Sequence, residues 1–269
     1  IGAGEQSGNL GLVLERLADD LEEQQALKSK LLGAALYPAI VSLVALGIVL
    51  FLVAYVVPQV AQVFSCNQRK LPTLTVIMLA LSDFVRNHGW TVALLLVLGW
   101  LGFHQAMKQP SLRVQFDAAF LCLPILGRLA TGYNTARFAS TLAMLTGAGV
   151  PILKAMQSAA DTLSNQAMRE DVLDALVLVR EGAPLAMAMG QKKRFPSLLA
   201  MFARLGEQTG QLPVMLQRAA QQLSADVQRR AMALATILEP LLIVLMGGVV
   251  MLIVLAVLMP IMELNQWVK

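Results

Sequence analysis

Two short motifs hold a carboxylate between glycines, and they are the residues of this sequence best suited to a working contact. Gly-Glu-Gln-Ser-Gly occupies positions 4–8, and Gly-Glu-Gln-Thr-Gly occupies positions 206–210. A glutamate fixed in a rigid turn between helices can dock a basic surface of a partner protein, or ligate calcium through its carboxylate oxygens. We expect no metal, and Glu5 is the candidate ligand if calcium does bind. The candidate partner-contact residues are Gly4, Glu5, Gly8, Gly206, Glu207 and Gly210.

The same motifs also have a structural interpretation. Gly4 and Gly206 are suited to the left-handed conformation that ends a helix. Ser7 and Thr209 can cap the helix that follows, and a glutamate beside a helix start interacts favourably with the helix dipole. The two interpretations are compatible, because a rigid turn between helices can also be a contact surface.

No combination of residues typical of a catalytic centre occurs in the sequence. It lacks the GxxxxGK[ST] phosphate-binding motif, which excludes ATP hydrolysis by that route. Its two histidines, His88 and His104, do not suffice for a metal cluster or a catalytic base with partners. Its two cysteines, Cys66 and Cys122, belong to no CxxC or Cys/His pattern, so we expect neither zinc nor a disulfide framework. The chain is therefore predicted to be a non-enzyme without a cofactor.

The positions of the two motifs indicate an internal repeat. Their offset of 202 residues holds without a gap through a polar helical stretch, a proline, a long apolar stretch and a second proline. The matching pairs are Leu14 and Leu216, Arg16 and Arg218, Ala18 and Ala220, Leu21 and Leu223, Pro38 and Pro240, and Pro58 and Pro260. Each copy is predicted to be a helical bundle that ends in a membrane span. A counterpart of residues 108–202 is expected upstream, so the first copy is predicted to be truncated.

The composition places the chain in a membrane. Hydrophobic residues make up 57% of the sequence and charged residues 14%, outside the usual balance of soluble proteins. Residues 39–57 and 241–259 are each 19 residues long without a charge, and can cross most of a hydrocarbon core of about 30 Å. A third span is predicted at 90–107, where Trp90 and Trp100 suit the membrane interface.

Lysine and arginine placement predicts the orientation of these spans. The basic residues that flank the spans on one side are Lys28, Lys30, Lys108, Arg113, Arg229 and Arg230. By the positive-inside rule, the N-terminal segment and the large domain are cytoplasmic, and the C-terminus is periplasmic. The net charge of +4 is explained by this bias, and the basic residues are dispersed, so no nucleic-acid partner is expected.

Prolines and glycines divide the large domain into short helices. The breaks are expected at Gly147–Gly149 with Pro151, at Asp161–Asn165, at Gly182 with Pro184, at Pro196, and at Gly206–Gly210. The predicted fold class is all-α: a polytopic membrane protein with three transmembrane helices and a cytoplasmic bundle of about six helices. The expected regions are the end of a first bundle at 1–38, spans at 39–57, 90–107 and 239–260, a periplasmic hairpin loop with an amphipathic helix at 58–89, a second bundle at 108–238, and a periplasmic tail at 261–269.

Several ordered segments resemble a known family. They are the paired GEQSGNL and GEQTGQL, the segment ARFASTLAMLTGAGVPILKAM at 136–156, and LEPLLIVLMGGVVMLIVLAVLMPI at 238–261. Together they are similar to the inner-membrane platform protein of type II secretion systems, the F component of the general secretion pathway, whose relative is the platform protein of type IV pili. The resemblance covers essentially the whole chain. The chain departs from the family pattern in lacking most of the first bundle.

The resemblance implies a function. A platform of this family lies in the bacterial inner membrane beneath a growing pseudopilus and transmits motion from a cytoplasmic assembly ATPase to pseudopilins. The implied partners are the secretion ATPase, other inner-membrane platform components, pseudopilins and membrane lipid, and a homo-oligomer is expected. The alternatives are the platform of a type IV pilus and, in a different class, a subunit of a membrane transporter. The absence of ionisable residues from 39–57 and 241–259 argues against a transporter.

Three further patterns are open to two interpretations. The acidic run at 19–23 is expected to be a solvated helix face, with partner contact as the alternative. An apolar stripe after Pro72 is expected to lie on the outer membrane surface or to pack against the spans. Methionines of the large domain at 144, 156, 168, 187 and 189 are expected to fill its core, with a groove for a partner helix as the alternative.

Overall fold

A computed structural model describes residues 10–59 and 73–266, and every regular element in these ranges is helical. The helices are α1 (Leu10–Phe51), α2 (Thr73–Ala106), α3 (Pro110–Leu121), α4 (Leu126–Gly147), α5 (Ile152–Asp161), α6 (Gln166–Arg180), α7 (Leu185–Gly190), α8 (Ser197–Thr209) and α9 (Leu212–Gln266). A π-helical turn, Leu52–Val56, follows α1. The predicted all-α class is confirmed. Gly4, Glu5, Gly8 and Cys66 lie outside the described residues.

Three helical stretches are long and apolar enough to cross a membrane: Lys28–Gln59, Thr75–Ala106 and Leu212–Met259. Their number agrees with the sequence-based expectation. The bent pair formed by α3 and α4 also passes on length and composition, but α4 buries Phe138 and Leu142 completely within a helical core. The three long stretches are therefore the candidate membrane spans of this fold.

The second span differs from its predicted bounds. α2 runs from Thr73 to Ala106 without interruption. The sequence predicted an amphipathic loop helix that ends at residue 89 and a separate span after it, and this division lies inside α2. No proline occurs between these residues, so nothing removes a backbone donor and breaks the helix. In the predicted apolar stripe Ile77 and Leu81 are exposed, whereas Met78 packs against other spans.

The described chain forms two compact units. Residues 10–33 and 106–233 form the bundle unit, and residues 34–59, 73–105 and 234–266 form the membrane unit. Six complete helices, α3 to α8, and the first part of α9 make up the large part of the bundle unit, in agreement with the expectation of about six.

Local backbone preferences set the helix ends of the bundle unit. Gly149, Gly182 and Gly210 have φ angles of 81°, 98° and 70°, which are accessible to glycine at no steric cost. Pro151, Pro184 and Pro196 stand immediately before α5, α7 and α8, where the absent N–H of proline is not needed by the helix. The sequence-predicted breaks at these positions are confirmed.

One contiguous core holds the bundle unit together. Phe138 of α4 is completely buried and meets the ring of Phe195 edge to face, with 5.8 Å between ring centroids. Of the methionines expected in this core, Met156, Met168 and Met189 are buried. Met144 packs against the core while partly exposed, and Met187 is 56% exposed. The core interpretation therefore holds for most of these methionines and fails for Met187.

The membrane unit has a smaller cluster of its own. Val53 and Val57 pack with Ile253 of α9, and Met78 of α2 and Val249 of α9 lie against them. The cluster joins all three spans, but most large apolar side chains of this unit point away from the chain. Their exposure fits a lipid environment, where apolar surface needs no burial.

Prolines inside the spans leave backbone carbonyls without their helical donor, and the membrane unit handles two of them differently. Pro58 follows the π turn, in which Val57 N–H donates to the Leu52 carbonyl. A π turn is a local adjustment that re-satisfies the backbone near a proline. Pro260 cannot donate to the Ala256 carbonyl, and the Thr75 hydroxyl donates to that carbonyl instead, at 2.8 Å. The second arrangement keeps the Ala256 carbonyl paired within the apolar stretch.

Candidate functional site

Gly206 lies inside α8 and is buried against the start of α9. A Cβ atom placed on it would stand 2.7 Å from the Leu212 Cα and 3.1 Å from the Met215 Cβ. Both values are shorter than ordinary carbon contacts, so glycine is needed because two helices approach each other closely here. The expectation that Gly206 takes a left-handed conformation and ends a helix is wrong.

Gly210 ends α8 instead, in the left-handed conformation with a φ of 70°. Thr209, expected to cap the next helix, is the last residue of α8, and its hydroxyl donates to the Leu205 carbonyl at 2.8 Å. The first backbone bond of α9 runs from Met215 N–H to the Gln211 carbonyl, at 3.1 Å. The turn is therefore shorter than predicted: it starts four residues later and contains no side-chain cap from Thr209.

Glu207 connects the end of α8 to the start of α7. Its carboxylate accepts the backbone N–H of Leu185 at 2.5 Å and that of Ala186 at 3.4 Å. These amides belong to the first turn of α7, where N–H groups have no partner within the helix. A negative charge at this position also interacts favourably with the helix dipole. The prediction that a motif glutamate serves a helix start agrees with this geometry, but the helix is α7 and not the one that follows the motif.

The bonds of Glu207 bear on metal and partner contact. Both carboxylate oxygens are engaged by backbone donors of the same chain, so a cation at Glu207 would compete with the α7 amides. In the part of the chain that the structure describes, no three His, Cys, Asp or Glu side chains come together to hold a metal. Calcium at Glu5 falls outside that part. Contact of the 206–210 motif with a partner stays a prediction.

A second polar network, which sequence analysis missed, holds α6 in place. Asp117 Oδ2 accepts the backbone N–H of Gln166 at 2.8 Å, and the Asn165 side chain accepts that of Met168 at 3.0 Å. Asn134 Oδ1, from buried α4, accepts the backbone N–H and the hydroxyl of Ser164, both at 3.1 Å. An asparagine directly before a helix is a recognised capping signal, and Asn165 could have been identified from it. Asp117 and Asn134 carry no such local signal.

A third polar contact lies in the membrane unit. The Tyr37 hydroxyl donates to Glu239 Oε1 at 3.2 Å. These residues are 202 positions apart, the offset of the proposed repeat, and each directly precedes a proline. The pair brings together two positions that the predicted repeat makes equivalent, near the ends of the two apolar stretches. It joins α1 to α9 within the membrane unit.

The chain matches a known protein family over most of its length. The family model described as Type II secretion system (T2SS), protein F, matches residues 1–58 and 138–260. This chain belongs to that family. Among curated relatives, it is 39% identical over 268 residues to the Type II secretion system protein F of Pseudomonas aeruginosa, covering 100% of this chain and 66% of the relative.

Relatives occur in two assembly systems. The chain is 41% identical over 268 residues to the Type II secretion system protein F of Vibrio cholerae, covering 99% of this chain and 66% of the relative. It is 34% identical over 263 residues to the Type IV pilus assembly protein PilC of Thermus thermophilus, covering 97% of this chain and 65% of the relative. The chain thus spans about two thirds of the length of the curated relatives it matches.

Proposed function

We propose that this member of the protein F family is the inner-membrane platform of a type II secretion system. The observation that carries the proposal is the similarity to secretion proteins F along essentially the whole chain. Three apolar stretches of spanning length support an integral membrane location. As a scaffold, the protein would perform no catalysis of its own. It would act between a cytoplasmic secretion ATPase and the pseudopilins, with other platform components, membrane lipid and further copies of itself as contacts.

The proposed mechanism assigns the bundle unit to the cytoplasm and the C-terminus to the periplasm. The bundle would follow rearrangements of the ATPase, and the spans would contact the apolar segments of pseudopilins. α9 is one helix from Leu212 to Gln266 and contributes to both units, as α1 does, which makes it a direct covalent route for a displacement. The bonds of Glu207 and the close approach at Gly206 support this role, because they fix α7 and α8 to the start of α9. A firmly joined bundle transmits a displacement that a loose one would absorb.

Deletion of the full-length gene in its native host tests the proposal. Culture-medium exoproteins and surface pili are assayed side by side, with complementation by the wild-type gene. Loss of secretion with intact pili is the expected result. Normal secretion and normal pili, in a host without a redundant copy, would refute the platform assignment.

Two variants at Glu207 refine this experiment. Glu207→Gln retains an acceptor oxygen for the α7 amides, whereas Glu207→Lys removes it and places a positive charge at the positive end of a helix. If Glu207→Lys fails to complement while its membrane level equals that of the wild type, the motif is a partner contact as well as a structural link. If the level falls together with secretion, its role is structural.

A type IV pilus platform is the second candidate, favoured by the similarity to pilus assembly proteins. The identity to the pilus protein of Thermus thermophilus is 34%, against 39% and 41% for the secretion proteins of Pseudomonas aeruginosa and Vibrio cholerae, which places secretion first. Loss of pili with normal secretion in the deletion strain would assign the protein to type IV pilus assembly.

A further inference from the structure

An open groove with an apolar floor and basic edges lies between the end of α7 and the first turns of α8. Its volume is about 390 Å³. The apolar residues that line it are Met189, Phe195, Pro196, Ala200 and Met201, and the basic ones are Lys192, Lys193 and Arg204. Met201 is 50% exposed, so an occupant of the groove would find apolar surface as well as positive charge.

Two of the cations near this groove are neutralised within the bundle unit. Lys192 Nζ lies 3.0 Å from Asp174 Oδ2, and Arg194 lies 3.0 Å from Asp171 Oδ1. Lys193 and Arg204 are exposed, and neither forms an ion pair with any side chain that the structure describes. The groove therefore presents two positive charges that are available to an acidic occupant.

α1 carries acidic side chains whose charge is complementary to the basic edges of the groove. Residues 15–23 contain five acidic side chains and one basic side chain. Glu15 and Glu22 are exposed, and Ala18 is exposed between them. Glu15, Ala18 and Glu22 follow one another at intervals of three and four residues, and this spacing places them on one face of the helix. This segment, residues 15–23, is helical and acidic in sequence, and its described side chains expose two carboxylates with a small apolar residue between them.

We propose that the groove of one copy binds the acidic segment 15–23 of a second copy of this protein. The charges of the two surfaces are complementary, and complementary charge selects a partner and its orientation. Both surfaces belong to the bundle unit, so in neighbouring copies inserted in the same membrane with the same orientation both lie on the same side. The contact goes beyond the proposed platform function, because it can be absent while the platform assignment stands.

Site-specific photocrosslinking in native membranes tests the contact. The full-length protein carries p-benzoylphenylalanine in place of Met201, and the host expresses it together with a differently tagged copy. An adduct that carries both tags, with a crosslinked peptide from residues 15–23, is the expected product. The same photoreactive residue in place of Met187, which is exposed but does not line the groove, is expected to give no such adduct.

Charge reversal shows whether the contact is electrostatic. Lys193→Glu with Arg204→Glu should lower the yield of the two-tag adduct roughly five-fold, as expected from the loss of two exposed charge pairs. Adding Glu15→Lys with Glu22→Lys, at the two exposed carboxylates of the segment, should restore it. Arg128→Glu with Arg180→Glu, two exposed arginines outside the groove, is the matched control and should leave the yield unchanged.

Four outcomes would overturn the proposal. They are the absence of any adduct, an adduct confined to a single copy, an adduct to a different protein, and a two-tag adduct whose yield is unchanged by the charge reversal. Exoprotein secretion is measured in the same strains. Normal secretion without the adduct refutes the self-contact alone, whereas secretion that never depended on the gene refutes the platform function.

Discussion

The bundle unit and the membrane unit treat their large apolar side chains in opposite ways. In the bundle unit Phe138 and Leu142 have no exposed surface, whereas Leu43 and Leu96 of the membrane unit are 74% and 69% exposed. A helix in water must bury its apolar face within the protein, whereas lipid is already an apolar solvent for that face. Stability within the chain therefore resides mainly in the bundle unit, and the spans leave their apolar surface for lipid and for other proteins.

The two units also differ in how they pair polar groups. The bundle unit uses ionised or amide side chains at helix starts, as Glu207 does for α7 and Asp117 for α6. The membrane unit uses hydroxyl donors: Tyr37 donates to the Glu239 carboxylate near the ends of the apolar stretches, and Thr75 donates to a carbonyl that a proline leaves without a donor. A carboxylate is costly to place in an apolar layer, whereas a threonine hydroxyl is not charged and can bond to a neighbouring helix. The surroundings of each unit thus determine which side chains can pair with its polar backbone groups.

The largest predicted effect concerns Phe138. Phe138→Ala removes a fully buried ring and its contact with Phe195, so the free energy of unfolding of the bundle should fall by about 3–5 kcal/mol. Leu96→Ala, on the exposed side of α2, should change it by less than about 0.5 kcal/mol. Urea titration of the full-length protein in detergent micelles, followed by pulse proteolysis, measures both. Equal losses for the two variants would contradict the division between the units.

The next effect tests the close approach at Gly206. Gly206→Ala places a Cβ 2.7 Å from the Leu212 Cα, a backbone atom that cannot move alone, so α8 and α9 must separate. We expect a loss of about 1–3 kcal/mol in the same titration. Gly190→Ala is the matched control, because its Cβ would meet only the Ala200 Cβ, at 3.7 Å. A Gly206→Ala protein as stable as the wild type would show that the two helices do not need this approach.

A smaller effect tests the link from Glu207 to α7. Glu207→Gln keeps the length and one acceptor oxygen but removes the charge, which should cost about 1 kcal/mol of bundle stability. Gln208→Ala, at the adjacent exposed position, should leave the unfolding midpoint within error. Amide hydrogen exchange provides the specific readout, since the N–H groups of Leu185 and Ala186 should exchange faster in the Gln variant. Unchanged exchange at these two amides would contradict the hydrogen bonds to Glu207.

The smallest effect concerns the membrane unit. Thr75→Val removes the hydroxyl that donates to the Ala256 carbonyl, with an expected loss of about 0.6 kcal/mol. Thr91→Val is the control, because its hydroxyl bonds to the His88 carbonyl within its own helix. Unfolding in mixed detergent and SDS measures the difference. If Pro260→Ala is introduced first, the Ala256 carbonyl regains a backbone donor and Thr75→Val should lose its effect. A persistent loss in that background would show that the hydroxyl acts in another way.

The sequence was a good guide wherever the signal was local. Pro151, Pro184 and Pro196 predicted helix starts, and apolar length predicted three spans. It failed at the boundary inside α2, because a polar stretch that contains Arg86 and His88 need not interrupt a helix. It also assigned the helix-ending role to the wrong glycine: Gly206 and Gly210 are both compatible with that role in sequence, and only the approach of α9 distinguishes them.

The sequence drew attention to the 206–210 motif but did not show which groups its side chains contact. Glu207 was identified, yet its partners, the amides of Leu185 and Ala186, lie about 20 residues earlier in the chain. The groove between the end of α7 and the start of α8 joins residues that no single motif contains. Lys192 and Arg194 form ion pairs with Asp174 and Asp171, respectively. Only these contacts distinguish them from Lys193, whose charge is not neutralised by a described side chain.

The sequence by itself determined the family, the helical class, the spans and most helix ends. These follow from backbone restrictions and apolar length, which act within a few residues and need no knowledge of the rest of the chain. Only the tertiary structure decided which glycine lies between packed helices, which amides Glu207 binds, and how the Thr75 hydroxyl meets a carbonyl 181 residues away. Such contacts depend on the packing of whole helices, and packing is determined by many side chains together.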